Sequence, residues 1–186
     1  MSPFIATGQI DVNRMDKFKK CLLKKYIDWK WIDAGDNNAG SIKVVQRAND
    51  SKQYSAYCIK INRNHETPVQ FSTLAHELAH LLLGHLGHDP KLKIPQRHQL
   101  TPSQVEFEAE SVAYVVCERN GVSVKSETYL SNFVDKNTRL DAIDLYQVMR
   151  AAGQIEAMLG LTAHTKYDKP KSKNQRQLNC GSYEIK

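Results

Sequence analysis

The stretch Thr73–His85, TLAHELAHLLLGH, sets two histidines and a glutamate inside an otherwise apolar run. Buried imidazoles and carboxylates are costly unless they are paired, hydrogen-bonded or bound to a metal. On a helix, residues four apart lie about 40° apart around the axis and one turn along it. His76 and His80 can therefore each aim a ring nitrogen at one ion, and the carboxylate of Glu77 can reach a water on that ion. This is the HExxH arrangement, two zinc ligands and a general base. Leu74, Leu78, Leu81 and Leu82 surround the motif and would bury it. The implied cofactor is Zn2+, and the implied chemistry is hydrolysis.

Two histidines do not hold a catalytic zinc alone; a third protein ligand is needed. The metzincin continuation fails, because Leu83 and Leu86 stand where it requires glycine and then histidine or aspartate. The segment VEFEAESVAY, residues 105–114, supplies acids instead. Glu106 and Glu110 are four apart and share a helix face, whereas Glu108 points about 160° away from both and is read as solvent-exposed. One of Glu106 and Glu110 can complete the zinc, and the other can accept the outer N–H of a ligand histidine. Tyr114, His85, His88 and His98 are the candidates for a donor to the oxyanion of the tetrahedral intermediate. His85 and His88 follow the helix stop and are read as loop residues beside the centre.

HExxH followed by an acid-bearing helix resembles the gluzincin arrangement. More narrowly, INRNHETPVQFSTLAHELAHLLLGH together with EFEAESVAYVVC resembles the ImmA/IrrE zinc peptidases and the C-terminal peptidase domain of ArdC-type antirestriction proteins. The likeness covers roughly residues 54–122. It implies zincin-like metalloendopeptidase activity on a protein substrate, with His76, His80 and Glu106 as zinc ligands, Glu77 as base and Glu110 as the partner of a ligand histidine. It also implies that strand 54–62 is an edge strand that pairs with an extended substrate. Many gluzincins carry Asp or Asn where Glu110 stands, which leaves Glu106 and Glu110 open to exchange.

These residues need elements to position them. Residues 12–31 read as one basic amphipathic helix, with Met15, Phe18, Leu22, Tyr26 and Ile27 recurring at spacings of three and four. SIKVVQRA (41–48) and YSAYCIKIN (54–62), separated by the turn signal NDSK, predict a hairpin. TPVQ (67–70) and TPSQ (101–104) each predict a capping box, with Thr as N-cap and Pro in the first turn. The first helix then runs to about Leu83, stopped by Gly84, and the second to about Arg119, stopped by Asn120-Gly121. The intervening stretch is a long loop broken by Pro90 and Pro95. A helix near 126–135 and a long helix over 138–160 follow, the latter with Leu140, Ile143, Leu145 and Met149 toward the core. The expected fold is α+β: a compact zincin-like domain over residues 1–164, with a small antiparallel sheet, the two site helices and C-terminal helices. Residues 165–186 read as a flexible basic tail.

Composition sets the frame. The chain has 186 residues, is 41% hydrophobic and 25% charged, and suits one globular domain. Its four cysteines, Cys21, Cys58, Cys117 and Cys180, form no CxxC pair. That excludes a cysteine zinc cluster, and Cys58 and Cys117 read as small buried hydrophobes. The net charge of +6 belongs to the two ends and not to the motif region. The basic N-terminal helix and tail suit nucleic acid as a second partner class, and a DNA-associated antirestriction or plasmid- or phage-maintenance factor with a mainly structural zinc is the alternative function. No apolar run is long enough to span a membrane, and no secretory signal opens the chain, so a cytoplasmic protein is expected. Delivery as a secreted effector is the other route considered.

Overall fold

The computed structural model describes residues 4–50, 52–125 and 143–161. Its elements run β1 (Ala6–Gly8), α1 (Val12–Leu23), β2 (Ile27–Ile32), β3 (Gly40–Gln46), β4 (Ala56–Asn62), α2 (Thr67–Leu82), α3 (Pro102–Arg119), β5 (Val122–Val124) and α4 (Leu145–Leu159). The architecture is α+β, as expected. The predicted hairpin is β3 and β4, paired antiparallel, with a bulge between Val44 and Gln46. β1 and β5 form a separate antiparallel ribbon. The expected helix near 126–135, Leu140, Cys180 and the expected tail 165–186 lie outside the described residues.

The helix expected over 12–31 is corrected. α1 stops at Leu23, and Tyr26 takes a left-handed φ of 60° that ends the helical path. The next six residues, IDWKWI, form β2, which pairs in parallel with β4 from Ile27↔Tyr57 to Ile32↔Asn62. Alternation decides the matter: Ile27 and Trp29 are buried, and Lys30 is exposed, the period of a strand with one face on a core. Tyr26 and Ile27 mimicked a helical stripe only because they lie four and five residues after Leu22. Met15, Phe18 and Leu22 are buried while Lys17, Lys20, Lys24 and Lys25 face outward, so ordinary packing accounts for this helix's basic face.

The sheet order is β2-β4-β3. β4 is therefore the central strand, with a neighbour on both sides, and the expectation that 54–62 is an edge strand is overturned. Its residues explain the position, since Tyr57, Ile59 and Ile61 are almost fully buried on one face and Cys58 on the other. Among the described residues, the unpaired edge beside the site belongs instead to β3.

α2 lies at the centre of the molecule. Phe71, Leu74, Ala75, Leu78, Ala79, Leu81 and Leu82 are completely buried, as in a helix covered on most of its circumference. α3 and α4 pack against it and against each other. Ala75 and Ala79 on α2, Ala109 and Ala113 on α3, and Ala151 and Ala152 on α4 are all buried and let the three helices approach closely. The α4 face differs from the expected one. Asp144 caps the helix through the Gln147 N–H. Val148, Ala151, Ala152, Ile155 and Leu159 then face inward, while Leu145 and Met149 are exposed. Arg150 ties α4 to the end of α2 by donating to the Leu82 carbonyl at 2.6 Å, a favourable place for a cation.

The two expected caps divide. Thr101 makes the full capping box with Gln104. At α2 the N-cap is Glu66, with no side-chain cap bond. Gln70 donates instead to the carbonyls of His65 (2.7 Å) and Arg63 (3.3 Å), fastening the segment between β4 and α2.

Candidate metal centre

His76, Glu77 and His80 are the polar interruptions on the inner half of α2, and they open onto a cleft of about 780 Å³. Its lining includes residues 38–42 at the start of β3, residues 4–6 leading into β1, Val124 and Lys125 at the end of β5, and Glu106 and Glu110 of α3. Asn62 holds the loop that supplies part of one wall. It is completely buried, and its amide donates to the carbonyls of Ala34, Gly35 and Asn38. The adjoining loop is thereby held against the head of the sheet.

The helical spacing places three donors together. His76 Nε2 and His80 Nε2 lie 3.0 Å apart. A Glu106 oxygen lies 3.5 Å from His76 Nε2, and its other oxygen 3.7 Å from His80 Nε2. Ligands at about 2.0–2.1 Å from a tetrahedral zinc stand about 3.3 Å from one another. The three observed separations straddle that value, and among the described residues this trio is the group spaced to hold a metal ion. The donor set, two imidazoles and a carboxylate, also suits zinc.

Glu110 lies on the same face of α3 but on the other side of the His76 ring. Its Oε2 is 3.2 Å from His76 Nδ1. Glu108, read from the sequence as solvent-exposed, is in fact buried, with 1% of its side chain accessible. It meets His85 Nε2 at 3.2 Å and accepts from Arg97 at 2.7 Å. The loop 85–97 covers that side of α3, which helix geometry alone cannot reveal. His85 in turn places Nδ1 3.0 Å from His80 Nδ1. Both histidines of the motif therefore have their outer nitrogens engaged, His76 by an acid of α3 and His80 by a histidine of the loop.

None of the four candidate oxyanion donors lines the cleft. His85 is turned toward His80 and Glu108, and His88 Nδ1 lies 2.7 Å from the carbonyl of Ile94. Tyr114 and His98 stand outside the lining. Arg97, seventeen residues beyond His80 in an irregular loop, carries no signal in the sequence. Nor does the Ile42 backbone, which hydrogen-bonds the Glu77 carboxylate from the cleft-side of β3.

The metal-free electrostatics follow from crowding. Burial pushes the Glu77 carboxyl up to about 7; the charge of His76 and the Ile42 hydrogen bond oppose this, and Glu106 adds to it. Burial disfavours the charged form of His76 as well, but hydrogen bonds to Glu106 and Glu110 and the charge of Glu77 together outweigh it and lift the imidazole to about 10. For His80, burial and then the neighbouring His76 charge push the value down to about 4. Two ring nitrogens 3.0 Å apart cannot both carry a proton, so one rises as the other falls. An imidazole must be neutral to bind a metal, so a metal held here would compete with a proton on His76.

Residues 37–117 match the Peptidase_M78 family, described as the IrrE N-terminal-like domain. Over that segment the chain is similar to the IrrE N-terminal-like domain. That segment includes β3, β4, α2 and nearly all of α3, and so every member of the donor trio and both partners of their outer nitrogens. The resemblance to ImmA/IrrE peptidases drawn from the motifs holds for it. No curated protein and no solved structure matches the chain. No helix among the described residues is long and apolar enough to cross a membrane.

Proposed function

We propose that the chain is a zinc-dependent endopeptidase of the gluzincin type, with residues 1–164 acting as one catalytic unit. The observation that carries this reading is the convergence of His76, His80 and Glu106 at zinc-ligand spacing beside the buried carboxylate of Glu77. His76, His80 and Glu106 would hold the metal, and Glu110 would fix the His76 ring through Nδ1. Zinc bound there supplies Lewis acidity toward water and the scissile carbonyl.

The remaining work falls to the protein. Glu77 takes a proton from the attacking water as its oxygen bonds to the carbonyl carbon. The same carboxyl then delivers that proton to the amide nitrogen as the C–N bond breaks, leaving a carboxylate and a free amine. The Ile42 N–H, on the cleft-side of β3, steadies the Glu77 carboxylate. The substrate itself is an extended peptide running along β3 and not β4, because β4 has both edges paired and residues 40–42 border the cleft. Strand addition of this kind recognises backbone amides and leaves sequence preference to side-chain pockets.

The test pairs elemental analysis of protein purified without added metal with N-terminal proteomics on a proteome exposed to wild type or Glu77→Gln. About one zinc per chain and new N-termini made only by wild type are expected, with zinc retained in the variant. Zinc near zero that cannot be restored, or equal cleavage by both proteins, would overturn the proposal.

A further inference from the structure

The second chain of contacts, from His80 through His85 and Glu108 to Arg97, has no part in the chemistry above. Its members come from α2, the turn after it, α3 and the long loop. They meet at 3.0, 3.2 and 2.7 Å in succession. His85 and Glu108 are sealed from solvent, with 2% and 1% of their side chains accessible. Four polar groups in line have few ways to satisfy one another, and with both imidazoles neutral hydrogen-bond polarity leaves one arrangement.

Arg97 only donates, so the Glu108 oxygen facing it accepts. An ionised carboxylate only accepts, so the other oxygen of Glu108 requires a hydrogen from His85 Nε2. A neutral imidazole with its hydrogen on Nε2 has a lone pair on Nδ1. His85 Nδ1 must then accept from His80 Nδ1, which leaves the lone pair of His80 on Nε2. That nitrogen is the one 3.0 Å from His76 Nε2 and 3.7 Å from Glu106, in the donor trio.

We infer that His85, Glu108 and Arg97 are positioning residues that fix the tautomer of His80, so that its Nε2 lone pair faces the metal centre before any metal arrives. The two motif histidines are thereby oriented by different means, His76 by a carboxylate directly and His80 by a carboxylate acting through a second imidazole. This rests on the zinc-peptidase reading for its purpose, but the tautomer can be measured without zinc. The contrast with Glu110 is useful, because each arm can be perturbed while the other serves as control.

Glu108→Gln is the decisive variant, as it conserves size while changing polarity. An amide there turns its oxygen to the Arg97 donor and its NH2 to His85 Nε2. His85 then accepts at Nε2 and donates from Nδ1, and His80 must hold its hydrogen on Nε2, where the metal would bind. Long-range 1H–15N correlation on histidine-labelled, metal-free protein reads each ring. In wild type, His80 should carry its hydrogen on Nδ1 and His85 on Nε2. In Glu108→Gln both should reverse, with no change in the Glu110-held contact of His76, and zinc affinity against a competing chelator should fall ten- to a hundredfold.

A merely structural Glu108 would lower the melting temperature and leave the His80 hydrogen where it was; that result overturns the inference. So does a wild-type His80 with its hydrogen on Nε2, a measurement that stands even if the variant does not fold. Wild-type protein that shows the expected tautomers but binds no zinc would sink the peptidase reading and leave the polarity of this chain intact.

Discussion

Glu106→Ala and Glu110→Ala should affect zinc by very different amounts, although the two acids sit one turn apart on the same face of α3. The oxygens of Glu106 lie 3.5 and 3.7 Å from the two Nε2 atoms, on the side where a metal would sit. Glu110 approaches the far side of the His76 ring, 3.2 Å from Nδ1. On the proposed assignment, alanine at 106 removes a ligand and leaves two histidines. Alanine at 110 leaves three ligands with one ring less firmly held. Loss of such an outer partner typically costs ten- to a hundredfold in metal affinity, about 1.4–2.7 kcal/mol. Glu106→Ala should exceed that range, and Glu110→Ala should fall within it. Zinc titration against a competing chelator gives the order directly, with far-UV circular dichroism checking that both variants are folded. If Glu110→Ala empties the centre and Glu106→Ala does not, the roles must be exchanged. If both lose less than tenfold, neither carboxylate binds the metal.

Other expectations concern the frame. A methyl at Gly40 would sit 2.5 Å from the Lys60 carbonyl and 2.6 Å from a Thr73 methyl, so Gly40→Ala should destabilise by about 1–3 kcal/mol through overpacking; an unchanged urea midpoint would mean that β3 can move away from α2. Thr101→Ala removes the capping box of α3 and should cost about 1 kcal/mol, read by the same denaturation. Burial raises the Glu108 carboxyl, but the hydrogen bonds to His85 and Arg97 and the charge of Arg97 outweigh it and hold it below its ordinary value of 4.5. A lowered carboxyl contributes stability above that ordinary value and loses it as pH falls through the folded one. Glu108→Gln should therefore flatten the acid limb of the stability profile relative to wild type, and coincident limbs would refute the pairing.

Much of the site was legible because its signals are local. Four-residue spacing on α2 aligns His76 with His80 without help from any other element, and the same spacing aligns Glu106 with Glu110. Gly84 and Asn120-Gly121 mark where those helices stop, and both glycines take the left-handed conformation that such stops favour. The hairpin was legible from β-branched alternation around a turn.

Other features could not be read locally. The boundary between α1 and β2 was hidden because Tyr26 and Ile27 extend a helical stripe by sequence distance alone, and only pairing with β4 makes Ile27 the start of a strand. The inward face of α4 was misplaced by two apolar residues at its start that the fold leaves in solvent.

What the sequence determined by itself was the donor chemistry: two imidazoles and a carboxylate at helical intervals, with a base beside them and apolar residues to bury them. Periodicity within one helix suffices for that, since covalent geometry sets where each side chain points. What tertiary structure alone decided was the company those donors keep. The strand edge along the cleft belongs to β3 because β2 closes the far side of β4. Glu108 is sealed because a loop from the other end of α2 covers the back of α3 and brings His85 and Arg97 to it. Such contacts join residues up to twenty-three positions apart, through irregular chain that carries no period to read.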